Sequence, residues 1–266
     1  MLEAFGIRWL DRRIGGFRAA DKLVFYCDQH RDLLLRGQGA LLAKSTVSPA
    51  PLTIDPPIAQ SKDVDALRNR LGIASSTRVI LFFGLIYPGK GLEYLLRAIA
   101  TLRDRSVDAL LLIVGQSGGV TSNASWNRAC DEYLSRMKIL AQELGLAGRA
   151  RWVGHVAEAD LGAWFGLSSV ACLPFSTGIR ANNSTFAVCA GHGIPVVTTT
   201  WDGIDSVFLE PDNGIQLVPC RSPGRLADAL ERILADPDRL AAMSLQIRTL
   251  FERHFSWRQF VDTLQS

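Results

Sequence analysis

The residues most able to do chemistry sit in the string GLIYPGKG, residues 84–91. Gly84, Gly89 and Gly91 let backbone come close to a ligand, and Lys90 sets a cation beside a helix that begins near Leu92. Both features favour an anion, typically phosphate. The spacing is neither a P-loop nor GxGxxG, and a glycine-rich turn with a solvated lysine reads the same way. A second candidate is PFSTGIRANNSTFAVCAGHGIPVVTT, residues 174–199. Here a polar loop, residues 176–183, leads into a short apolar helix from Ser184 to about His192. Gly193 ends that helix and Pro195 opens the next strand. Asn183 is placed to cap it, so the amides and hydroxyls of Ser184 and Thr185 point outward. A helix apolar all round is buried, and its N-terminal dipole then favours a phosphate group. A cap with no ligand uses the same residues; Lys90 across the sheet edge favours the anion.

Two further turns lie at strand ends. GQSGG, residues 115–119, is another glycine-rich strand-to-helix turn. Gly154-His155-Val156 follows a later strand, where His155 either faces a nucleotide base or is a hydrogen-bonded structural residue. No second histidine or acid stands at metal-ligand spacing from it, so no metal is expected.

From about Asp63 onward, the strands and helices that carry these groups alternate regularly. Strand-length apolar runs occur at residues 79–84, 109–115, 150–154, 170–175, 195–199 and 215–218. Helical segments separate them. The clearest runs from Trp126 to Leu144, with Trp126, Cys130, Tyr133, Leu134, Met137, Leu140, Ala141 and Leu144 on one face. Ser222-Pro223 and Asp236-Pro237 read as N-cap and first helical residue of two later helices. Nearly all-apolar strands separated by helices predict an α/β, Rossmann-like parallel sheet with helices on both faces. In such sheets ligands bind beyond the carboxyl ends of the strands.

Residues 1–45 differ in character: an amphipathic start to about Gly15, a short strand at Leu23–Cys27 and a second helix near Gln29 predict a small N-terminal α/β remnant. A linker at 46–62 holds four prolines and marks a hinge. The main domain is expected at 63–253 and a terminal helix at 254–266. The apolar run from Leu23 to Tyr26 is expected to be exposed and to drive self-association.

The composition is 48% hydrophobic and 21% charged with a formal charge of +3, ordinary for a soluble globular chain. Arginines are spread rather than clustered, so nucleic acid is not an expected partner. Five cysteines without a CxxC pair read as reduced core or surface thiols. Charges interrupt the apolar residues of the N-terminus, and no apolar run reaches membrane length, so a soluble, cytoplasmic protein is expected.

From about residue 20 to the end, the sequence resembles the family 4 glycosyltransferases, the group 1 enzymes built from two Rossmann-like domains. The landmarks are FFGLIYPGKGLEYLLRA, LLLIVG, RWVGHV, DLGAWFGLSSVACLPF, AVCAGHGIPVVTTT, DNGIQLVP and HFSW, in that order. The resemblance implies the donor half of such an enzyme, transferring a sugar with retention from a nucleoside diphosphate donor to a lipid-linked or polysaccharide acceptor, without metal or other cofactor. It implies that Gly84, Lys90, Asn183, Ser184 and Thr185 hold the diphosphate. It implies that Gly154, His155, Thr177, Gly178, Arg180 and Val188 lie around the nucleotide and sugar. His254 to Trp257 matches the start of the family's crossover helix. The implied partners are the nucleotide-sugar donor, a separate acceptor-binding domain or subunit, and the inner face of a membrane contacted peripherally.

Departures from the family pattern fall at the site itself. Leu85 replaces an arginine, Arg180 and Val188 stand where a pair of glutamates brackets the helix start, and Thr177 replaces an acid of an alternative loop form. Arg180 either contacts phosphate or sugar, or is solvated. Residues 1–45 match only the last helix, strand and helix of the family's first domain, so no catalytic residue opposite the donor is identified. A fragment, a late-start gene model or a split subunit is expected on that ground. The alternatives left open are an inactive anion-binding or scaffold module, and a related epimerase or phosphorylase.

Overall fold

Neighbouring side chains of each central strand enter opposite cores. In the computed structural model, Val79 and Leu81 of the first long strand join one buried cluster, while Ile80 and Phe82 join another. Leu110 and Leu112 are split from Leu111 and Ile113 in the same way. This is the period-two side-chain alternation of a strand covered on both faces.

The structure describes residue 17 and residues 19–52, 60–118 and 122–265. The expected amphipathic start to Gly15, the middle of the proline-rich segment and Gly119 lie outside the described residues. In chain order the elements are β1 (Leu23–Phe25), α1 (Asp28–Leu34), α2 (Gly39–Leu42), β2 (Ser45–Val47), α3 (Ser61–Arg70), β3 (Arg78–Phe83), α4 (Leu92–Asp104), β4 (Ala109–Val114) and α5 (Ala124–Glu143). There follow β5 (Ala150–Gly154), α6 (Leu161–Leu167), β6 (Val170–Leu173), α7 (Ser184–Gly191), β7 (Val196–Thr200), β8 (Ile215–Pro219), α8 (Pro223–Leu234), α9 (Pro237–His254) and α10 (Trp257–Gln265).

Six strands pair in the order β5-β4-β3-β6-β7-β8, every pair parallel. The order runs outward from β3 in one direction and then reverses to β6, so β3 and β6 flank the topological switch point where doubly wound sheets form their ligand crevice. All six strands match the predicted apolar runs in order.

Several details differ. β6 ends at Leu173 rather than residue 175, because Pro174 follows and Phe175 already turns back onto the Leu173 carbonyl at 3.0 Å. α5 starts two residues early, where the Asn123 side chain accepts the Trp126 amide at 3.1 Å. Asp236 caps α9 by accepting the Arg239 amide at 2.9 Å. Ser222 stands at the N-cap of α8, but its hydroxyl donates to the Cys220 carbonyl instead.

The N-terminal unit contains a strand that the sequence pattern missed. β2 pairs parallel with β1, Leu23 opposite Ser45 and Phe25 opposite Val47, across the expected linker boundary at residue 45/46. Leu23, Leu35 and Leu41 form a small core beneath the pair. Contrary to the expectation of an exposed run, Leu23 is buried, Val24 and Phe25 are half-buried and only Tyr26 is exposed. α10 crosses back to this unit: Lys22 donates to the Thr263 carbonyl at 2.6 Å and the Tyr26 and Phe260 rings lie 6.1 Å apart. The five cysteines are free, and four of them are buried. No helix among the described residues is long and apolar enough to cross a membrane.

Candidate functional site

The loops after β3 and β6 meet at the switch point. The Ser176 amide donates to the Gly89 carbonyl at 2.9 Å, locking the second loop onto the first. Gly91 has φ +74°, and a Cβ there would stand 1.8 Å from the Pro174 carbonyl oxygen, so only glycine fits where the loops touch. Gly84 has φ +105°, and a Cβ on it would press to 2.8 Å from Thr185 Oγ1.

This packing delivers Lys90 to the tip of α7. Its Nζ donates to Thr185 Oγ1 at 3.1 Å and lies 4.9 Å from the centroid of the Phe175 ring and 5.6 Å from that of Tyr87. The side chain is 4% exposed. Burial lowers its pKa to about 8, opposed by the nearby Cys189, because a low-dielectric setting disfavours the ammonium. The shift leaves the ammonium poised to gain from an anionic partner.

α7 is held at both ends. Asn183 accepts the Phe186 amide at 3.0 Å, as an N-cap does. At the other end Arg248 donates to the Gly191 carbonyl, placing a cation at the C-terminus, and the His192 ring stacks on Phe165 at 4.1 Å. Burial, reinforced by Arg248, pushes His192 down to about 4, so its imidazole is neutral at pH 7. Phe186 is fully buried, with edge-on contacts to Phe208 and Phe255. The tip itself stays accessible: Ser184 is exposed and Thr185 half-buried, and among the described residues their amides donate to no protein acceptor.

The start of α4 behaves differently. Its Leu92 amide donates to the Tyr133 hydroxyl at 3.1 Å, and that hydroxyl in turn donates to Glu93. The expectation of an anion at the helix following Lys90 is therefore corrected. A protein side chain occupies that N-terminus, and Lys90 serves the tip of α7 instead.

The remaining predicted residues divide. Gly154 has φ +82°, its carbonyl accepts the Gly115 amide at 2.8 Å, and His155 beyond it is exposed. Thr177 is exposed. Gly178 is buried with φ +79° and faces Trp201, which a Cβ would meet at 2.3 Å. Val188 is half-buried and packs on the core. Arg180, whose sequence context allows either a ligand contact or a solvated side chain, is engaged by the protein itself. It donates to the Gln29 side chain of α1, and its guanidinium lies 5.0 Å from the Trp201 ring. Gln29, Trp201 and the buried Asp205 were not singled out in the sequence. Their partners are up to 177 residues distant, and no local spacing marks them.

The arrangement amounts to a cation, two hydroxyls and the free Ser184 and Thr185 amides of a helix tip meeting at one place, suited to a phosphate or diphosphate. Known proteins with similar sequences bear on what carries it. The family model for glycosyl transferases group 1 matches residues 77–236. A D-inositol 3-phosphate glycosyltransferase from a Nocardioides species is 30% identical over 258 residues, covering 92% of this chain and 53% of the relative. The Corynebacterium jeikeium protein of the same name is 29% identical over 252 residues, covering 92% and 56%. The chain thus spans about half the length of the curated relatives it matches. Among solved structures, Anabaena HepE in complex with UDP superposes with a TM-score of 0.79 at 17% identity, over all of this chain and 69% of that one. Sucrose-phosphate synthase from Thermosynechococcus elongatus superposes at 0.73 with 21% identity, over 96% and 59%. At these identities the structural likeness concerns the fold.

Proposed function

Because the chain belongs to the group 1 glycosyl transferases, as the match over residues 77–236 shows, we propose that it is the donor-binding portion of a retaining glycosyltransferase. The donor is a nucleoside diphosphate sugar and the acceptor a lipid-linked or polysaccharide molecule. The observation that carries this reading is the 3.1 Å contact between Lys90 Nζ and Thr185 Oγ1 at an accessible helix tip. When the sugar leaves the donor, negative charge develops on the diphosphate. Lys90, the Ser184 and Thr185 amides and their hydroxyls are aimed at that charge, which is how preorganised donors lower a transition state. They supply it without a metal. Gly84 and Gly89 give the diphosphate room to approach the backbone. The Gly154-His155 turn borders the base, and the loop from Thr177 to Arg180 borders the sugar.

In this reading the acceptor side belongs to a further domain or subunit, and the reaction runs in the cytoplasm, at the inner face of the membrane when the acceptor is lipid-linked. HepE, a structural neighbour, binds UDP, which supports a nucleotide donor.

A second reading, an anion-binding module without turnover, draws on two features: Arg180 is occupied by Gln29, and Val188 offers no polar group. Calorimetric titration with UDP-glucose, GDP-mannose and ADP-glucose separates the readings from a null result. The donor reading requires saturable binding of at least one of them to folded protein. Absence of binding by all three removes it. Sugar transfer by the chain, alone or with an added acceptor domain, eliminates the inactive module.

A further inference from the structure

Asp205 is 1% exposed, and its carboxylate holds two distant pieces of chain at once. The Asp28 amide, at the start of α1, donates to Oδ1 at 2.7 Å. The Ala181 amide, in the loop that leads to α7, donates to Oδ2 at 2.7 Å. Asp28 reciprocates, its Oδ2 accepting the Ser206 amide at 2.9 Å and the Ser206 hydroxyl at 2.8 Å. Beside them Arg180 of the same loop donates to Gln29 of α1. Among the described residues no lysine or arginine forms an ion pair with Asp205. A buried carboxylate without a cation carries a large desolvation cost, offset here by two short charge-assisted hydrogen bonds. An apolar residue would avoid that cost but would leave two amides without an acceptor.

We propose that Asp205 is a positioning residue that couples the loop of residues 176–183 to docking of the N-terminal unit. With α1 docked, one carboxylate is fixed by Asp28 and in turn fixes Ala181, and Arg180 is held against Trp201. With α1 displaced, Asp205 and Arg180 lose their partners in α1 together, and the loop is freed to change shape. The identity of the ligand rests on the donor reading above; the coupling does not. Its consequence for that reading is that the sugar subsite, formed by the loop, depends on α1, while the diphosphate subsite at Ser184, Thr185 and Lys90 does not.

The test combines amide hydrogen exchange with binding, using the full chain and the variants Asp205→Ala and Asp205→Asn. Exchange at both Ala181 and Asp28 is expected to rise about tenfold or more in Asp205→Ala, with Leu111 and Ile113 of β4 unchanged. Asp205→Asn retains a single carbonyl oxygen and is expected to protect one of the two amides. Of the donors tested, whichever binds the unaltered protein is expected to weaken about tenfold in Asp205→Ala, against less than about threefold for the matching nucleoside diphosphate. In Asp205→Ala a rise at only one of the two amides, or in both variants a uniform rise through β4, overturns the coupling. Equal weakening of sugar nucleotide and diphosphate overturns the subsite assignment. If no donor binds the unaltered protein, the donor reading fails while the exchange data still decide the coupling.

Discussion

The ammonium of Lys90 stands 3.1 Å from the hydroxyl of Thr185, joining the loop after β3 to the helix after β6 across the switch point of the sheet. Ninety-five residues separate them in sequence. The contact exists because β3 and β6 are adjacent strands and because Gly84 and Gly91 leave room for the two loops to touch.

Replacing Lys90 by Met should weaken diphosphate binding while stabilising the fold. A charge-assisted hydrogen bond contributes about 1.5–3 kcal/mol, so nucleotide affinity is expected to fall about tenfold to a hundredfold. The buried ammonium is disfavoured in the folded state, so removing it should raise unfolding free energy by about 1–3 kcal/mol at pH 7. Paired calorimetry and urea denaturation check both halves.

The lowered pKa of Lys90, about 8 against 10.5, fixes the sign of two pH effects. Between those values the unfolded chain holds a proton that the folded chain has released, so Lys90's contribution to stability rises with pH from 8 to 10.5. Anion binding needs the ammonium, so affinity for a nucleoside diphosphate should fall as pH rises through about 8. Both trends should vanish in Lys90→Met, as measured by denaturation and titration across pH 7 to 10.

Gly84→Ala should act on the ligand through Thr185. The added methyl group meets Thr185 Oγ1 at 2.8 Å on a backbone of φ +105°. A strained conformation of this kind costs about 1–3 kcal/mol. Nucleotide binding is expected to weaken with Thr185 displaced, even where circular dichroism shows the fold intact.

Phe186→Ala should cost about 3–5 kcal/mol, the usual penalty for emptying a buried aromatic site. The ring is fully buried between Phe208 and Phe255. Thermal unfolding followed by fluorescence would report the loss, and a small effect would mean that α7 is not anchored through this ring.

Much of the fold was legible because buried parallel strands are apolar on both faces and announce themselves as continuous runs. β3, β4 and β5 appear within a residue of their predicted ends. β2 was invisible for the opposite reason: Ser45, Thr46 and Val47 are half-buried and lie beside a proline-rich stretch. At the site, Lys90 and Asn183–Thr185 were readable because glycine-rich turns and helix caps have local signatures. Asp205 and Gln29 were not, since each takes its role from partners that only the folded chain brings near. Arg180 shows the same limit from the other side: its type left a ligand contact and a solvated side chain equally open, whereas in the fold it donates to Gln29.

Whether the tip of α7 and Lys90 share one diphosphate is read from backbone amide resonances followed during UDP and GDP titrations. Ser184 and Thr185 are expected to shift most, to saturate with the calorimetric binding curve, and to lose the response in Lys90→Met. Saturable nucleotide binding that leaves those two amides unmoved would contradict it.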